Sequence, residues 1–274
     1  MLMSIRLWIR NTGKSFLTAT LLSSVLLFGA VTENAAAGPP LQDTSVSMQA
    51  HYGDLETNWG YGNKENAYNN LIEKAIAEHW EDEDNPLDPL MFKALIAVES
   101  AFKTRAYSRT GCAGLVQLAP GTAKRFGLSL SPVDERLIPE KAIPAGVKVL
   151  AEKHRVVLQP NNYYGILLGQ PEKKLSYGTV VHKHYQKRGT PQGSDLIHLG
   201  LASYNGGGGT IMRAMAKAVE MGKNPLDWNA LVGSGPADSP LYAACRLVYR
   251  GGAHGKYREM ADYSRKIFEL TQER

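Results

Sequence analysis

Cysteine is scarce in this chain, whose 274 residues contain only Cys112 and Cys245. That number excludes a small disulfide-rich scaffold, which needs several bridges. One disulfide and two separate thiols both stay open, because sequence spacing does not give the distance between the sulfur atoms. Cys112 lies between Gly111 and Ala113, a setting that also suits a small buried thiol.

The sequence also lacks an apolar run of the length that an ordinary membrane span requires. The best candidate, residues 16–31, has 16 residues, whereas a span needs about 20. It follows a basic stretch and precedes the small residues 35–38, which is the arrangement of a cleavable signal peptide. We therefore expect residues 1–37 to be a signal peptide, with an uncleaved anchor as the alternative, and the protein to be periplasmic and associated with the cell envelope.

Several signatures of catalysis and cofactor binding are missing. There is no Gly-x-Ser-x-Gly elbow of a serine hydrolase, and the Gly-Lys-Ser sequence at residues 13–15 lacks the upstream glycine of a P-loop. His182 and His184 have no third metal ligand at a suitable spacing. The net charge of +5 is small for a nucleic-acid binder. The sequence therefore predicts no cofactor, no metal and no nucleic-acid partner.

Helical periodicity dominates residues 67–274, which we interpret as one domain. Residues 89–100 give the clearest signal, because Asp88 and Pro89 are typical of an N-cap followed by the first helical residue. Apolar residues then recur at the helical spacing on a wide face, which predicts a largely buried helix. Similar periods recur along most of the remaining domain, so the sequence predicts an all-α fold.

Two segments depart from this pattern. Residues 38–66 are polar and weakly patterned, and we interpret them as a linker or partly ordered arm, with Trp59 and Tyr61 as its points of contact. Residues 161–194 form an insertion with five Lys or Arg residues against one Glu. Residues 177–185 within it allow a small β element. The positive charge of the insertion either attracts acidic groups of a substrate or forms a solvated surface.

Glu99 is the residue around which candidate chemistry gathers. It stands at the end of the apolar helix predicted over residues 89–100, where two effects disfavour a charged carboxylate: burial among apolar neighbours and the negative C-terminal end of the helix. A carboxyl group with a raised pKa can act as a general acid near neutral pH. An isolated glutamate at a helix end more often faces solvent, so the neighbouring sequence has to decide between the two.

A dense set of short motifs begins at Glu99. In chain order they are Glu99-Ser100, Phe102, Ala106-x-Ser108, Gly111-Cys112-Ala113-Gly114-Leu115-Val116-Gln117, Pro120-x-Thr122-Ala123, Ser203-Tyr204-Asn205-Gly206-Gly207 and Glu259-Met260-Ala261-Asp262-Tyr263. This set resembles the lytic transglycosylases that have a goose-type-lysozyme-like (SLT) catalytic domain. The resemblance covers about residues 89–270 without the insertion, and it implies a lysozyme-like helical domain.

The chain departs from the family pattern at a few positions. Val116 replaces a methionine that lines the sugar groove, and Ser203 replaces an alanine. Ala142 and Ile143 stand where the family has Asn-Ile, and Pro144 follows them. None of these changes removes a group needed for acid–base chemistry, so they bear on the shape of the groove.

The resemblance implies a peptidoglycan-cleaving enzyme with a single catalytic carboxylate. Glu99 would protonate the oxygen that links N-acetylmuramic acid to N-acetylglucosamine, and would then take a proton from the muramyl C6 hydroxyl, which leaves a 1,6-anhydromuramyl end. The glycines at 206–209 would let the backbone approach the glycan. The resemblance also implies substrate-binding and supporting residues, namely Ser108, Gln117, Tyr204, Asn205 and Tyr263 for binding and Ser100 and Val116 for support.

Other interpretations stay open at this point. A muramidase of the same fold would use water, and a wall-binding or assembly module would keep the fold without turnover. Ser108 also suits a turn, Gln117 a loop-packing amide, and Tyr204 and Tyr263 a position in a hydrophobic core. We expect a monomer that acts on glycan strands, with cell-envelope machinery as a further partner.

Overall fold

The computed structural model describes residues 55–273. In this range the only β-pairing is two isolated bridges, Tyr107 with Ala113 and Ala113 with Leu118. The predicted all-α fold is therefore confirmed. The helices are α1 (Asn69–His79), α2 (Pro89–Ser100), α3 (Pro120–Arg125), α4 (Pro139–Leu158), α5 (Tyr163–Leu168), α6 (Ser176–Arg188), α7 (Gly193–Gly206), α8 (Gly208–Glu220), α9 (Trp228–Val232), α10 (Pro240–Tyr249) and α11 (Ala253–Gln272).

The most buried of these helices is α2. Its N-cap, Asp88, accepts a hydrogen bond from the backbone N–H of Leu90 at 2.8 Å, and Pro89 is its first residue, as the sequence predicts. Ten of its 12 residues are buried. Val98 and Glu99 keep partial exposure, so α2 offers a polar group to solvent only near its C-terminal end.

The helices enclose two hydrophobic cores. The first core surrounds α2 and includes parts of α1 and α4, and the second surrounds α8 and includes parts of α6 and α10. Helix α7 contributes Leu201 to the first core and Leu199 to the second. Helix α11 likewise contributes Tyr263 to the first and Tyr257 to the second. These two helices therefore tie the cores together.

The insertion forms helices α5 and α6, so the β element that residues 177–185 allow is wrong. Helix α6 buries Val181 and Tyr185, which are four residues apart, and the Tyr185 hydroxyl donates to the backbone carbonyl of Val157 at 2.8 Å. Together with the half-buried Tyr177 these residues follow a four-residue spacing. In so short a segment that spacing also satisfies the two-residue alternation of a strand, which is why the pattern did not separate the two.

The described part of the arm, residues 55–66, is attached to the body through its aromatic residues. The buried carboxylate of Glu65 accepts hydrogen bonds from the backbone N–H groups of Trp59 at 2.6 Å and Tyr61 at 3.0 Å. The Trp59 indole donates to the backbone carbonyl of Glu273 at 2.6 Å. These contacts fit the interpretation of Trp59 and Tyr61 as docking points.

Two other expectations concern export and cysteine pairing. The predicted signal peptide at residues 1–37 lies outside the described residues. Within residues 55–273, no helix combines the length and apolarity that crossing a bilayer would take. Cys112 is half-buried and Cys245 is buried, and both are free thiols in the structure.

Helix α6 packs closely against the segment that follows α4, and this contact can be tested. A Cβ atom at Gly178 would lie 2.1 Å from the backbone carbonyl oxygen of Pro160, so Gly178→Ala should lower the free energy of unfolding by about 2 kcal/mol or more. Gly255→Ala is the control, because a Cβ there meets nothing within 4 Å; it should be neutral or stabilise by about 0.5–1 kcal/mol. Equal effects in denaturant titrations would contradict close packing at Gly178.

Candidate active site

Glu99 lies in the last turn of α2, immediately before a sharp change in chain direction. The next helical residue, Ser100, donates its hydroxyl to the Ile96 carbonyl at 3.1 Å and is buried, so its side chain supports the helix end. Ala101 and Phe102 then adopt positive φ values of 50° and 58°. Phe102 is fully buried, which fixes this turn and leaves Glu99 at the rim of the first core.

The partner of Glu99 is Tyr263 on α11. The Tyr263 hydroxyl donates a hydrogen bond to Oε1 of Glu99 at 2.7 Å, and the tyrosine is only 5% exposed. Tyr263 also belongs to the first core, so the core position and the functional position are the same. A buried phenol needs a hydrogen-bond partner, and here that partner is the candidate catalytic acid.

Burial gives the Glu99 carboxyl an unusual pKa. Loss of solvation raises it from the ordinary 4.5 to about 7, because a charged carboxylate is poorly solvated inside the protein. The hydrogen bond from Tyr263 and the positive charge of Lys256 lower the pKa, and the negative charge of Glu259 raises it. The sequence predicts a raised value, and desolvation is its main physical cause.

Tyr204 connects the end of α7 to the turn that follows Glu99. Its hydroxyl donates to the backbone carbonyl of Val116 at 2.8 Å. Burial raises the pKa of Tyr204 well above the ordinary value, and the nearby Glu99 contributes. The side chain of Val116 is fully buried and faces Gly146 of α4, where an added Cβ would lie 2.9 Å from it. Val116 therefore reaches the site through its carbonyl group, and its side chain packs in the core.

Ser108 and Gln117 hold the turn at residues 106–118 together. The Ser108 hydroxyl accepts a hydrogen bond from the backbone N–H of Cys112 at 2.9 Å. The Gln117 amide donates to the carbonyls of Ala106 at 3.2 Å and Gly114 at 2.9 Å. Both side chains are half-buried and retain hydrogen-bonding capacity beyond these contacts. Their internal contacts match the turn and loop-packing interpretations, and their role toward substrate stays a prediction.

Arg136 is a buried support for this turn that was not predicted from the sequence. Its guanidinium donates to the carbonyls of Gly111 at 2.7 Å and Leu118 at 2.9 Å and pairs with the carboxylate of Asp134 at 2.7 Å. A Cβ atom at Gly114 would lie 1.8 Å from the Arg136 carbonyl oxygen. The turn therefore needs glycine at 114 and is fixed from one side by Arg136.

A charged cluster on α11 borders Glu99 and holds Asn205 in place. The Asn205 amide donates to Oε1 of Glu259 at 3.0 Å, and the Lys256 ammonium donates to the Asn205 carbonyl at 3.0 Å and to Glu259 at 2.9 Å. Lys256 was not predicted from the sequence. Its spacing was the available signal, because Lys256, Glu259 and Tyr263 follow a three- and four-residue period and so share one helix face.

The glycines at 206–209 make room for the protein's own side chains. An added Cβ at Gly206 would lie 2.2 Å from the thioether of Met260, and one at Gly209 would lie 2.9 Å from the Tyr163 hydroxyl. Gly208 similarly faces Val156 at 3.0 Å. These contacts account for the small residues by internal packing, so the predicted role in admitting a glycan loses its basis at these three positions.

The site contains no metal-binding arrangement in the part of the chain that the structure describes. No group of three or more His, Cys, Asp or Glu side chains in residues 55–273 is placed to hold an ion. What the described site offers is one carboxyl with a pKa near neutrality, one phenol bonded to it, and polar groups on two facing segments. These groups are suited to proton transfer.

The raised pKa of Glu99 predicts a stability effect of known sign. The folded state keeps the proton up to about pH 7, whereas the unfolded chain loses it near 4.5. The folded state therefore binds more protons in this window, and stability falls as pH rises through it. Glu99→Gln removes the titration, so its stability relative to wild type should improve by up to about 3 kcal/mol between about pH 4 and pH 8. A pH-independent difference in denaturant titrations would contradict the raised pKa.

The charged cluster predicts pKa shifts of opposite sign. Lys256→Met should raise the pKa of Glu99, because a nearby positive charge is lost, and Glu259→Gln should lower it, because a nearby negative charge is lost. Carboxyl ¹³C NMR titration of Glu99 measures both. Arg258→Met is the control, since Arg258 is exposed on the same helix and should leave the pKa unchanged. Shifts of the same sign would show that the substitutions act through packing.

The sequence is similar to a known domain family and to a named relative. The sequence model of the Transglycosylase SLT domain family matches residues 77–226, more than half of the chain. The membrane-bound lytic murein transglycosylase F 2 of Alkalilimnicola ehrlichii is 29% identical over 209 residues, which cover 74% of this chain and 37% of that relative. The chain thus spans little more than a third of the relative's length. With Glu99 and Tyr204 inside the matched residues, this chain belongs to the transglycosylase SLT domain family.

Proposed function

We propose that the protein is a peptidoglycan lytic transglycosylase that cleaves the β-1,4 bond between N-acetylmuramic acid and N-acetylglucosamine. The observation that carries this proposal is the single carboxyl of Glu99, whose pKa is raised to about 7 and which is bonded to Tyr263. Membership of the SLT domain family supports it, as does the activity in the name of the lytic murein transglycosylase relative.

The first step uses Glu99 as a general acid. With a pKa of about 7, a substantial fraction of the carboxyl groups is protonated at neutral pH, so the proton is available to the glycosidic oxygen. Proton donation breaks the C1–O bond and leaves a hydroxyl on the departing N-acetylglucosamine. The muramyl ring carries the resulting positive charge, stabilised by its own acetamido group. The Glu99 carboxylate is then negative, and Tyr263 donates its hydrogen bond to that charge.

The second step uses the same residue as a general base. The Glu99 carboxylate accepts the proton of the muramyl C6 hydroxyl, and the C6 oxygen forms a bond to C1. The product is a 1,6-anhydromuramyl end, Glu99 regains its proton, and no water is consumed. A pKa near neutrality suits both halves of this cycle, because one group must release and accept a proton at the same pH.

Neither neighbouring carboxylate is placed as a second catalytic group. Glu259 is bonded to Asn205 and Lys256, and Asp262 is half-exposed and paired with Arg265 at 3.1 Å. Glycosidases that use two carboxylates need the second one free to attack C1 or to activate water. The arrangement therefore favours a mechanism in which Glu99 acts alone.

The binding roles follow from the polar groups around Glu99. We assign Ser108 and Gln117 to hydrogen bonds with the acetamido and peptide-proximal groups of the sugars, since both keep unused hydrogen-bonding capacity. Tyr204 and Asn205 close the other side of the acid's pocket. A muramidase that uses water is the second candidate, because the same acid would begin both reactions.

We further propose that the protein works in the cell envelope as an exported monomer. The basic n-region and apolar run within residues 1–37 support export, and the relative's name describes a membrane-bound protein. Glycan strands of peptidoglycan are the substrate partner. Envelope machinery and the substrate's acidic stem peptides are the further contacts that the basic insertion suits.

Digestion of purified sacculi tests the function. Wild-type protein should release muropeptides lighter by one water than the products of a muramidase. Glu99→Gln should lower the rate by about 10²–10⁴-fold, measured by chromatography and mass spectrometry of released products. Asp262→Asn is the matched control, a carboxyl-to-amide change on an exposed, ion-paired residue, and it should keep the wild-type rate.

Each alternative predicts a different result in the same assay. Products that contain the additional water would identify a muramidase. Binding of sacculi without release of muropeptides, with Glu99→Gln indistinguishable from wild type, would identify a wall-binding module. Equal losses in Glu99→Gln and Asp262→Asn would contradict the single-carboxylate mechanism.

A further inference from the structure

A pocket lies away from Glu99, where the segment between α1 and α2 meets α7. It encloses about 390 Å³ and is lined by residues from this segment and from α2, α4 and α7. Met91 belongs to this lining and Glu99 does not; they stand two helical turns apart on α2. The pocket is therefore distinct from the candidate active site, and its volume suits a small organic molecule.

The inner wall of this pocket is apolar. It includes one aromatic and six aliphatic side chains, Trp80, Leu87, Met91, Leu150, Leu196, Ile197 and Leu201. Trp80 is fixed in orientation, because its indole N–H donates to the Asn85 carbonyl at 2.9 Å and its ring lies 4.8 Å from that of His154. A rigid aromatic wall with aliphatic neighbours offers burial to the apolar body of a ligand.

The charged groups in the lining are carboxylates. Asp84 and Asp88 line the pocket, and no Lys or Arg does. Two basic side chains stand close to these carboxylates. His154, which also lines the pocket and whose pKa is lowered by burial, contacts Asp82 at 2.6 Å, and Arg155 lies 3.6 Å from Glu81. Asp84 has no hydrogen bond or ion pair to any residue within 55–273. The pocket therefore combines an apolar interior with two exposed carboxylates in its lining.

Gly200 indicates that this space is kept open by the fold. It stands in the middle of α7 and is buried, yet a Cβ added there meets nothing within 4 Å. Glycine within a helix is less favourable than alanine because it loses more backbone entropy on folding. Packing does not require glycine at position 200, in contrast to Gly206. The structural consequence of Gly200 is therefore the open volume beside it.

We infer that this pocket binds a hydrophobic ammonium ligand, with an aliphatic or aromatic body against Trp80 and Leu196 and a positive head near Asp84. The inference rests on the shape, the apolar wall and the charge of the pocket, and not on the reaction at Glu99. An anionic ligand would meet like charge in the lining, and a purely apolar one would gain no attraction from the exposed Asp84 carboxylate.

Three probes of similar shape test whether the pocket prefers a positively charged head group. 4-Phenylbutylammonium, 4-phenylbutanol and 5-phenylpentanoate share one apolar body and differ in the head group. Calorimetry should give the ammonium probe a Kd on the order of 0.1–1 mM, with the alcohol weaker and the carboxylate weakest. Methyl NMR shifts should locate the ammonium probe at Leu196, Ile197 and Leu201. Equal affinity of the three probes, or shifts elsewhere in the protein, would overturn the inference.

Matched variants separate the site from general effects of charge. Asp84→Asn should weaken the ammonium probe by about three- to tenfold, while Glu83→Gln, the same change on the exposed neighbour outside the lining, should leave binding unchanged. Gly200→Leu should fill the pocket and abolish binding, and Gly200→Ala should raise Tm because open space awaits the methyl group. Equal losses in Asp84→Asn and Glu83→Gln would mean non-specific attraction. The rate at which Asp84→Asn digests sacculi is a separate measurement, and neither outcome of it bears on the binding of the ammonium probe.

Discussion

The hydrogen bond between Tyr263 and Glu99 is the contact on which the candidate site depends. It joins residues 164 positions apart in the chain, so it forms only when α11 has packed against α2. That packing also completes the first core, to which Tyr263 belongs. The event that buries the apolar surface therefore also desolvates Glu99 and supplies its partner, and the acid has its unusual pKa only in the folded protein.

Side chains on one face of α11 have opposing effects on the pKa of the half-buried Glu99. Desolvation alone would raise the pKa of the carboxyl further, which favours its action as an acid over its action as a base. Tyr263 and Lys256 oppose this effect, and Glu259 adds to it. The same Lys256 and Glu259 also fix Asn205 on α7. Proton affinity and the position of the opposite wall are thus set by one helix face, which couples the chemistry of Glu99 to the alignment of α7 and α11.

Local patterns predicted what local forces determine. Asp88 and Pro89 predicted the start of α2, and the motif at Glu99 predicted the candidate acid. Both predictions depend on neighbouring residues, which determine helix caps and short turns. The misses concern long-range packing. Val116 was expected in the groove, but the space beside Gly146 on another helix draws its side chain into the core. In the same way, the apolar spacing of α6 distinguishes a helix from a strand only once the surface against which that segment packs is known.

In the proposed reaction, the choice between the muramyl C6 hydroxyl and water as the nucleophile depends on the groups that surround Glu99. Both reactions begin with the same proton transfer from Glu99, and they differ in the group that reaches C1. Activation of water on the opposite face of the sugar needs a second free carboxylate, and Glu259 is bound by Asn205 and Lys256. The C6 hydroxyl needs no such help, because it is held on the same sugar and gains the advantage of an intramolecular nucleophile. Because Glu259 and Asp262 are both engaged, the site in residues 55–273 supports the proposed anhydro product.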